Sequence, residues 1–147
     1  MGPMSVRVLI VDDQQPFRRV ARELLEGRGY TVVAEAASAK GALDAAVRHE
    51  PDAVLMDVRL GDRSGFEAAW AIRRECPRAK VLLVSSADFR HCRERMRESG
   101  ARGFVQKSRL ASVDLSEYWP TPDKRHGRAT NLELSDRTVG GQADEAA

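Results

Sequence analysis

This chain is poor in aromatic residues, has only two cysteines and carries almost no net charge. Aromatics make up 5% of its 147 residues and the formal charge is +2. So small a charge announces neither nucleic acid nor an anionic membrane as a partner. Acids and bases are interleaved, with no basic stripe set among aromatics. Cys76 and Cys92 make no metal-ligand pair, and no His/Cys cluster surrounds them. Both fit the apolar phase of a helix, which predicts buried thiols in a reducing cytosol. No run approaches the roughly 20 apolar residues of a membrane span. The start, Met1-Gly2-Pro3-Met4, leads into no apolar segment of the signal-peptide kind. No glycine-rich phosphate loop follows the first apolar run. The expectation is a cytoplasmic protein without a membrane partner. With 42% hydrophobic and 31% charged residues, the chain suits one ordinary globular domain.

What is present is an alternation of strand and helix signals. Residues 5–11 are β-branched and apolar. Pro16 suits a first helical turn, and Phe17, Val20, Ala21, Leu24 and Leu25 recur with helical spacing before Gly27 and Gly29 end the pattern. A second strand is expected from Tyr30 to Ala36. Ser38 then caps a helix with Ala39, Ala42, Leu43, Ala46 and Val47 inward, broken by Pro51. Ala53 to Asp57 is the third strand. Ser64-Gly65-Phe66-Glu67 has capping-box spacing and opens a helix with Phe66, Ala69, Trp70 and Cys76 inward, stopped by Pro77. Val81 to Val84 is the fourth strand. Asp88 caps a helix presenting Phe89, Cys92 and Met96, closed by Gly100. A short fifth strand, Gly103-Phe104-Val105, is followed by a last helix expected from about Arg109 to Tyr118. Five alternations argue for an α/β fold, a doubly wound parallel sheet with helices on both faces.

The strand ends carry the chemistry. Asp12-Asp13 closes the first strand, Asp57 the third, Ser85 the fourth, and Lys107 follows the fifth. Parallel sheets place their sites outside the carboxyl ends of the strands, where strand order reverses. Carboxylates gathered there repel unless a cation sits among them, and a hard divalent ion such as Mg²⁺ takes oxygen ligands. The expected site is a Mg²⁺ pocket around a nucleophilic Asp57.

In this arrangement, roughly residues 5–118 resemble the receiver domain of two-component response regulators. The resemblance implies a flavodoxin-like five-stranded sheet in the order 2-1-3-4-5. It implies that Asp57 accepts a phosphoryl group from a sensor histidine kinase or a phosphotransfer protein. Asp12, Asp13, Asp57 and the backbone carbonyl of Arg59 would hold Mg²⁺. Lys107 would set a point charge on the phosphoryl oxygens, and Ser85 would donate its hydroxyl to them. Movement of Ser85 would let Phe104, at the switch-aromatic position, turn inward and change the surface of the fourth helix, fifth strand and fifth helix. The phosphoryl group then biases two pre-existing packings, and a downstream protein reads the result. Receivers of this kind often pair through that surface, so a homodimer is among the partners implied. Slow self-dephosphorylation, rather than enzymatic turnover, is implied as well.

Several positions depart from the family pattern. Gly61 stands where proline is usual, which frees the loop after Asp57. Ser108 follows Lys107, where proline and a cis peptide are often found; a cis bond before a non-proline residue costs about 2.5–4 kcal/mol. Phe104 lacks the hydroxyl of the alternative tyrosine. Arg59 and Ala87 flank the path of hydrolytic water. Residues 119–147 are expected to be a flexible tail. Within it, the segment Leu132 to Val139 faintly resembles the start of a helix-turn-helix. From Pro120 onward, however, four bases face five acids, a poor footprint for DNA. A stand-alone receiver acting through protein contacts is favoured, with nucleic acid not expected for this chain alone. The alternative is the receiver part of a truncated DNA-binding transcriptional regulator. A haloacid-dehalogenase-like phosphatase would also use an Asp nucleophile and Mg²⁺. It needs a second acid two residues later, where Arg59 stands.

Overall fold

The computed structural model describes residues 5–88 and 92–122. The apolar runs form β1 (Arg7–Val11), β2 (Thr31–Ala36), β3 (Ala53–Asp57), β4 (Lys80–Ser85) and β5 (Gly103–Gln106). All are parallel, in the order 2-1-3-4-5. This is the flavodoxin-like sheet expected from the alternation and the resemblance. β3 is buried along its whole length, as a central parallel strand covered on both faces must be.

Because side chains alternate along a strand, the sheet feeds two separate cores. Leu9, Val11, Val54, Met56 and Leu83 enter one, beneath α2 (Ala39–His49) and α3 (Gly65–Glu75), with Met96 of α4 (Arg93–Ser99) packed against it. Val8, Ile10, Leu55, Leu82 and Val84 enter the other, beneath α1 (Gln15–Gly27). Several helix ends follow the sequence signals, but α4 starts at Arg93 behind Cys92, with no side-chain cap, rather than at the expected Asp88. Ser38 accepts from the Gly41 N–H and Ser64 from the Glu67 N–H, each satisfying an orphan donor of a first turn. Gly100 closes α4 in the left-handed conformation, at φ 79°.

The helices bury narrower strips than periodicity suggests. Val20, Val47 and Trp70, expected inward, are 61%, 53% and 49% exposed. Each lies on the flank of its helix, while small residues directly beneath the axis, such as Ala42, Ala46 and Ala69, are fully buried. Trp70 instead has the Arg74 guanidinium 4.8 Å over its ring. Cys76 and Cys92, expected to be buried, are only partly covered, and both are free thiols. Phe89, expected on the inner face of the fourth helix, lies outside the described residues.

The largest departure is at the C-terminal end. The helix expected over about 109–118 does not form; two 3-10 turns, Lys107–Ser112 and Leu115–Glu117, stand in its place. Between them Val113 is extended, with φ −83° and ψ 150°. Local side chains compete for the backbone here: Ser112 Oγ donates to the Arg109 carbonyl, and Asp114 Oδ1 accepts from the Ser116 N–H. Leu110 and Leu115 still reach the core beneath β4 and β5.

Burial continues past the expected boundary at residue 118. Trp119 is 3% exposed and meets Tyr30 edge-on, with ring centroids 5.6 Å apart. Pro122 is buried beside Gly29. The packed region therefore extends through residue 122, and the rest of the expected tail, with its segment 132–139, lies outside the described residues. Among the described residues every peptide is trans, Lys107–Ser108 included. No described helix is long and apolar enough to cross a membrane.

Candidate functional site

Strand register assembles the site. Val11 pairs with Met56, so Asp12 and Asp57 emerge side by side. Asp57 is abreast of Val84, and Ser85 abreast of Gln106, so Ser85 and Lys107 follow one step further along the sheet. One carboxylate oxygen from each of Asp12, Asp13 and Asp57 lies within 4.8 Å of the others. Asp12 and Asp57 are buried, and Asp13 is exposed.

Asp12 is held through its backbone and one carboxylate oxygen. Its N–H donates to the Ala36 carbonyl at 3.0 Å, and its Oδ1 accepts from the Gln14 N–H at 2.8 Å. Arg18 Nη1 donates to the Asp12 carbonyl at 2.6 Å. The same guanidinium pairs with Glu35, as does Arg22. Burial pushes the Glu35 carboxyl up, but the hydrogen bonds from Arg22 and Arg18 outweigh it and hold Glu35 below the usual carboxylate range. Asp12 Oδ2 is buried and accepts no hydrogen bond of good geometry; its neighbour is Lys107 Nζ at 2.5 Å, an ion pair.

Asp57 Oδ1 accepts from the Arg59 N–H at 3.1 Å, and Oδ2 faces Lys107 Nζ at 3.3 Å. Burial raises the Asp57 carboxyl above its ordinary value; the Arg59 N–H opposes this, the Asp12 carboxylate adds to it, and Lys107 opposes it. Lys107 thus bridges the two buried acids. Its ammonium also lies 4.2 Å from the centroid of the Phe17 ring.

The loop after Asp57 is closely fitted. Gly65, the first residue of α3, sits so near β3 that a Cβ there would lie 2.2 Å from the Asp57 carbonyl oxygen. Only glycine permits that approach. Asp62 ties the same loop to the start of α2: Oδ1 accepts from the Ala39 N–H at 2.9 Å and Oδ2 from the Lys40 N–H at 3.1 Å. The freedom expected from Gly61 is therefore countered by the next residue. Ser85 is buried, with Oγ accepting from the Ala87 N–H at 3.1 Å. Phe104 is partly buried, packs against the core on the α4 side, and borders a surface hollow of about 660 Å³. Arg59 is exposed, and its backbone bridges to Ser64.

Asp12, Asp13, Asp57 and Lys107 thus converge in one pocket, Ser85 stands in the next strand position, and Phe104 lies on the core that faces α4. Three carboxylates, each with an oxygen within 4.8 Å of the others, suit a hard divalent cation such as Mg²⁺. Sequence reasoning missed Phe17, Gly65, Arg18 and Asp62 as parts of the site. Phe17 fits the packing phase of α1 and Gly65 fills the capping box, so neither stands out along the chain. The spacing of residues 17 and 107 carries no sign of their contact.

A family profile described as the response regulator receiver domain matches residues 8–116. The transcriptional regulatory protein PdtaR of Mycobacterium tuberculosis is 35% identical over 103 residues, 69% of this chain and 49% of that protein. The polar-differentiation response regulator DivK of Brucella ovis is 31% identical over 106 residues, 71% of this chain and 85% of DivK. Among solved structures, the signal receiver domain of the response regulator NarL from M. tuberculosis superposes with a TM-score of 0.68 at 31% identity. That match covers 78% of this chain and 90% of the other. The chain spans about half the length, or less, of several curated relatives it matches.

Proposed function

This chain belongs to the response regulator receiver family, and we propose that it is a phosphorylation-dependent switch with Asp57 as the phosphoacceptor. An Asp57 carboxylate oxygen attacks the phosphorus of a phosphohistidine on a sensor histidine kinase or phosphotransfer protein. The new O–P bond forms as the N–P bond breaks, and the imidazole leaves with the electron pair and takes up a proton. Asp12, Asp13, Asp57 and the Arg59 backbone carbonyl would hold Mg²⁺, which when bound offsets the repulsion between carboxylate and phosphoryl oxygens.

The observation that carries this reading is the convergence of Lys107 on Asp57 and Asp12, at 3.3 and 2.5 Å. In that place the ammonium is ready to pair with a phosphoryl oxygen on Asp57. Ser85 donates its hydroxyl to the same group, and its shift opens room for Phe104 to turn inward. The surface that changes comprises α4, β5 and the 3-10 turns that stand where a fifth helix was expected. A downstream protein reads that surface, directly or through pairing of two copies. Slow self-dephosphorylation returns the switch to rest.

Two observations bear on other readings. The matched region makes up 85% of DivK but 49% of PdtaR, so relatives of both lengths carry this domain. A haloacid-dehalogenase-like phosphatase is disfavoured, since Arg59 occupies the place of the required acid. The test is intact mass after incubation with acetyl phosphate and Mg²⁺. Wild type is expected to gain one phosphoryl group and Asp57→Asn none; equal labelling of both would remove Asp57 from the nucleophilic role.

A further inference from the structure

Lys107 is held from two sides. Asp12 and Asp57 pull its ammonium into the pocket, and the Phe17 ring covers it at 4.2 Å from the centroid. The lysine side chain is 14% exposed, so this ring, from the first turn of α1, is part of what keeps water from the charge. A ring face carries the negative lobe of its quadrupole and attracts a cation; an aliphatic side chain of similar size fills the space without that attraction.

We propose that Phe17 is a positioning residue for Lys107: its ring holds the ammonium over Asp57, in the place where the phosphoryl oxygens arrive. This rests on the receiver reading. A lysine stem has four rotatable carbons and a compact, strongly hydrated head, so without a partner opposite the acids it spends more time turned toward solvent. When Asp57 attacks an acyl phosphate, the new O–P bond forms, the acyl-oxygen–phosphorus bond breaks, and the carboxylate leaves with the electron pair. Negative charge gathers on the phosphoryl oxygens throughout. An ammonium already in place needs no reorganisation to meet it.

The test combines a spectroscopic and a kinetic readout. The chain has four lysines, Lys40, Lys80, Lys107 and Lys124, so ¹³C-lysine labelling gives a spectrum that Lys107→Met assigns. The Lys107 ε-protons are expected upfield of those of Lys40 and Lys80 in wild type and in Phe17→Tyr, and at the ordinary position in Phe17→Leu. An ordinary position in wild type overturns the proposal, and that reading needs no variant to fold. Kinetically, Phe17→Leu is expected to slow labelling by acetyl phosphate by about three- to tenfold, with Phe17→Tyr retaining most of the rate. In a Lys107→Met background the same substitution is expected to change nothing further. An equal loss in both backgrounds shows that Phe17 acts independently of Lys107, and overturns the proposal. A wild type that takes no phosphoryl group defeats the receiver reading and the transfer role together, while the ε-proton shift separately reports whether the ring holds the lysine.

Discussion

Lys107 Nζ lies 2.5 Å from the buried Oδ2 of Asp12, nearer than its 3.3 Å approach to Asp57. The lysine and a divalent cation held by Asp12, Asp13 and Asp57 would therefore draw on the same carboxylates. Two positive charges a few ångströms apart in a partly buried pocket repel with little screening. Replacing the ammonium by a neutral side chain of similar length is expected to favour the metal. Lys107→Met should tighten Mg²⁺ binding by about three- to tenfold in a calorimetric titration, and Asp12→Asn should weaken it by about tenfold or more. Weaker metal binding in Lys107→Met would show that the two cations do not compete at Asp12.

Gly65 carries a second expectation. A methyl group there meets the Asp57 carbonyl at 2.2 Å, and that neighbour is backbone in a fully buried strand with no room to give. Gly65→Ala should destabilise the fold by about 1–3 kcal/mol, read as a lower urea midpoint at unchanged slope. Since the shift falls on Asp57 itself, labelling by acetyl phosphate should slow as well. A Gly65→Ala protein with wild-type stability would mean that α3 is free to move off β3.

Trp119 fills the space beneath the sheet that the expected fifth helix does not. Replacing it by alanine removes one of the larger side chains of that core and should cost about 3–5 kcal/mol. Trp119→Phe should lose much less, because the buried indole Nε1 has no hydrogen-bond partner to give up. Urea denaturation of both variants checks the order. A chain ended at Tyr118 should match the alanine variant or fall below it, since it loses Pro122 as well.

Asp62 predicts a pH dependence. The Ala39 N–H first, and the Lys40 N–H after it, hold its carboxyl below the ordinary value. A carboxyl with a depressed folded value adds stability above its unfolded value, near about 3.9, and loses it as pH falls through the folded one. The urea midpoint of wild type should exceed that of Asp62→Ala near about pH 7, and the gap should close as pH falls below about 4. A gap that is unchanged down to about pH 3 would show that the charge on Asp62 is not what holds the loop to α2.

Much of this molecule is legible along its chain because strands and helix caps are local. The five apolar runs become the five strands with ends shifted by no more than about two residues. Ser38, Ser64 and Gly100 act where hydrogen-bond geometry requires them. Helical periodicity marks wider stripes than the fold buries. A 3.6-residue period marks which side of a helix faces inward, but how far the sheet extends beneath it decides whether Val20, Val47 and Trp70 are covered. The last helix failed for a related reason. Leu110, Val113 and Tyr118 give it an apolar phase, while Ser112 and Asp114 offer the backbone other partners, and that competition is settled in space.

What the sequence determined by itself is the order of chemistry: an acid pair, a third acid, a serine and a lysine, each set directly after an apolar strand. Parallel pairing with right-handed crossovers leaves few ways to arrange such strands, and all of them bring those ends to one edge. Only the tertiary structure decided what surrounds them. The contact of Phe17 with Lys107, the fit of Gly65 against Asp57, the hold of Asp62 on α2 and the burial of Trp119 join residues far apart in the chain or depend on ångström-scale approach. Side-chain periodicity carries no such distances; packing does.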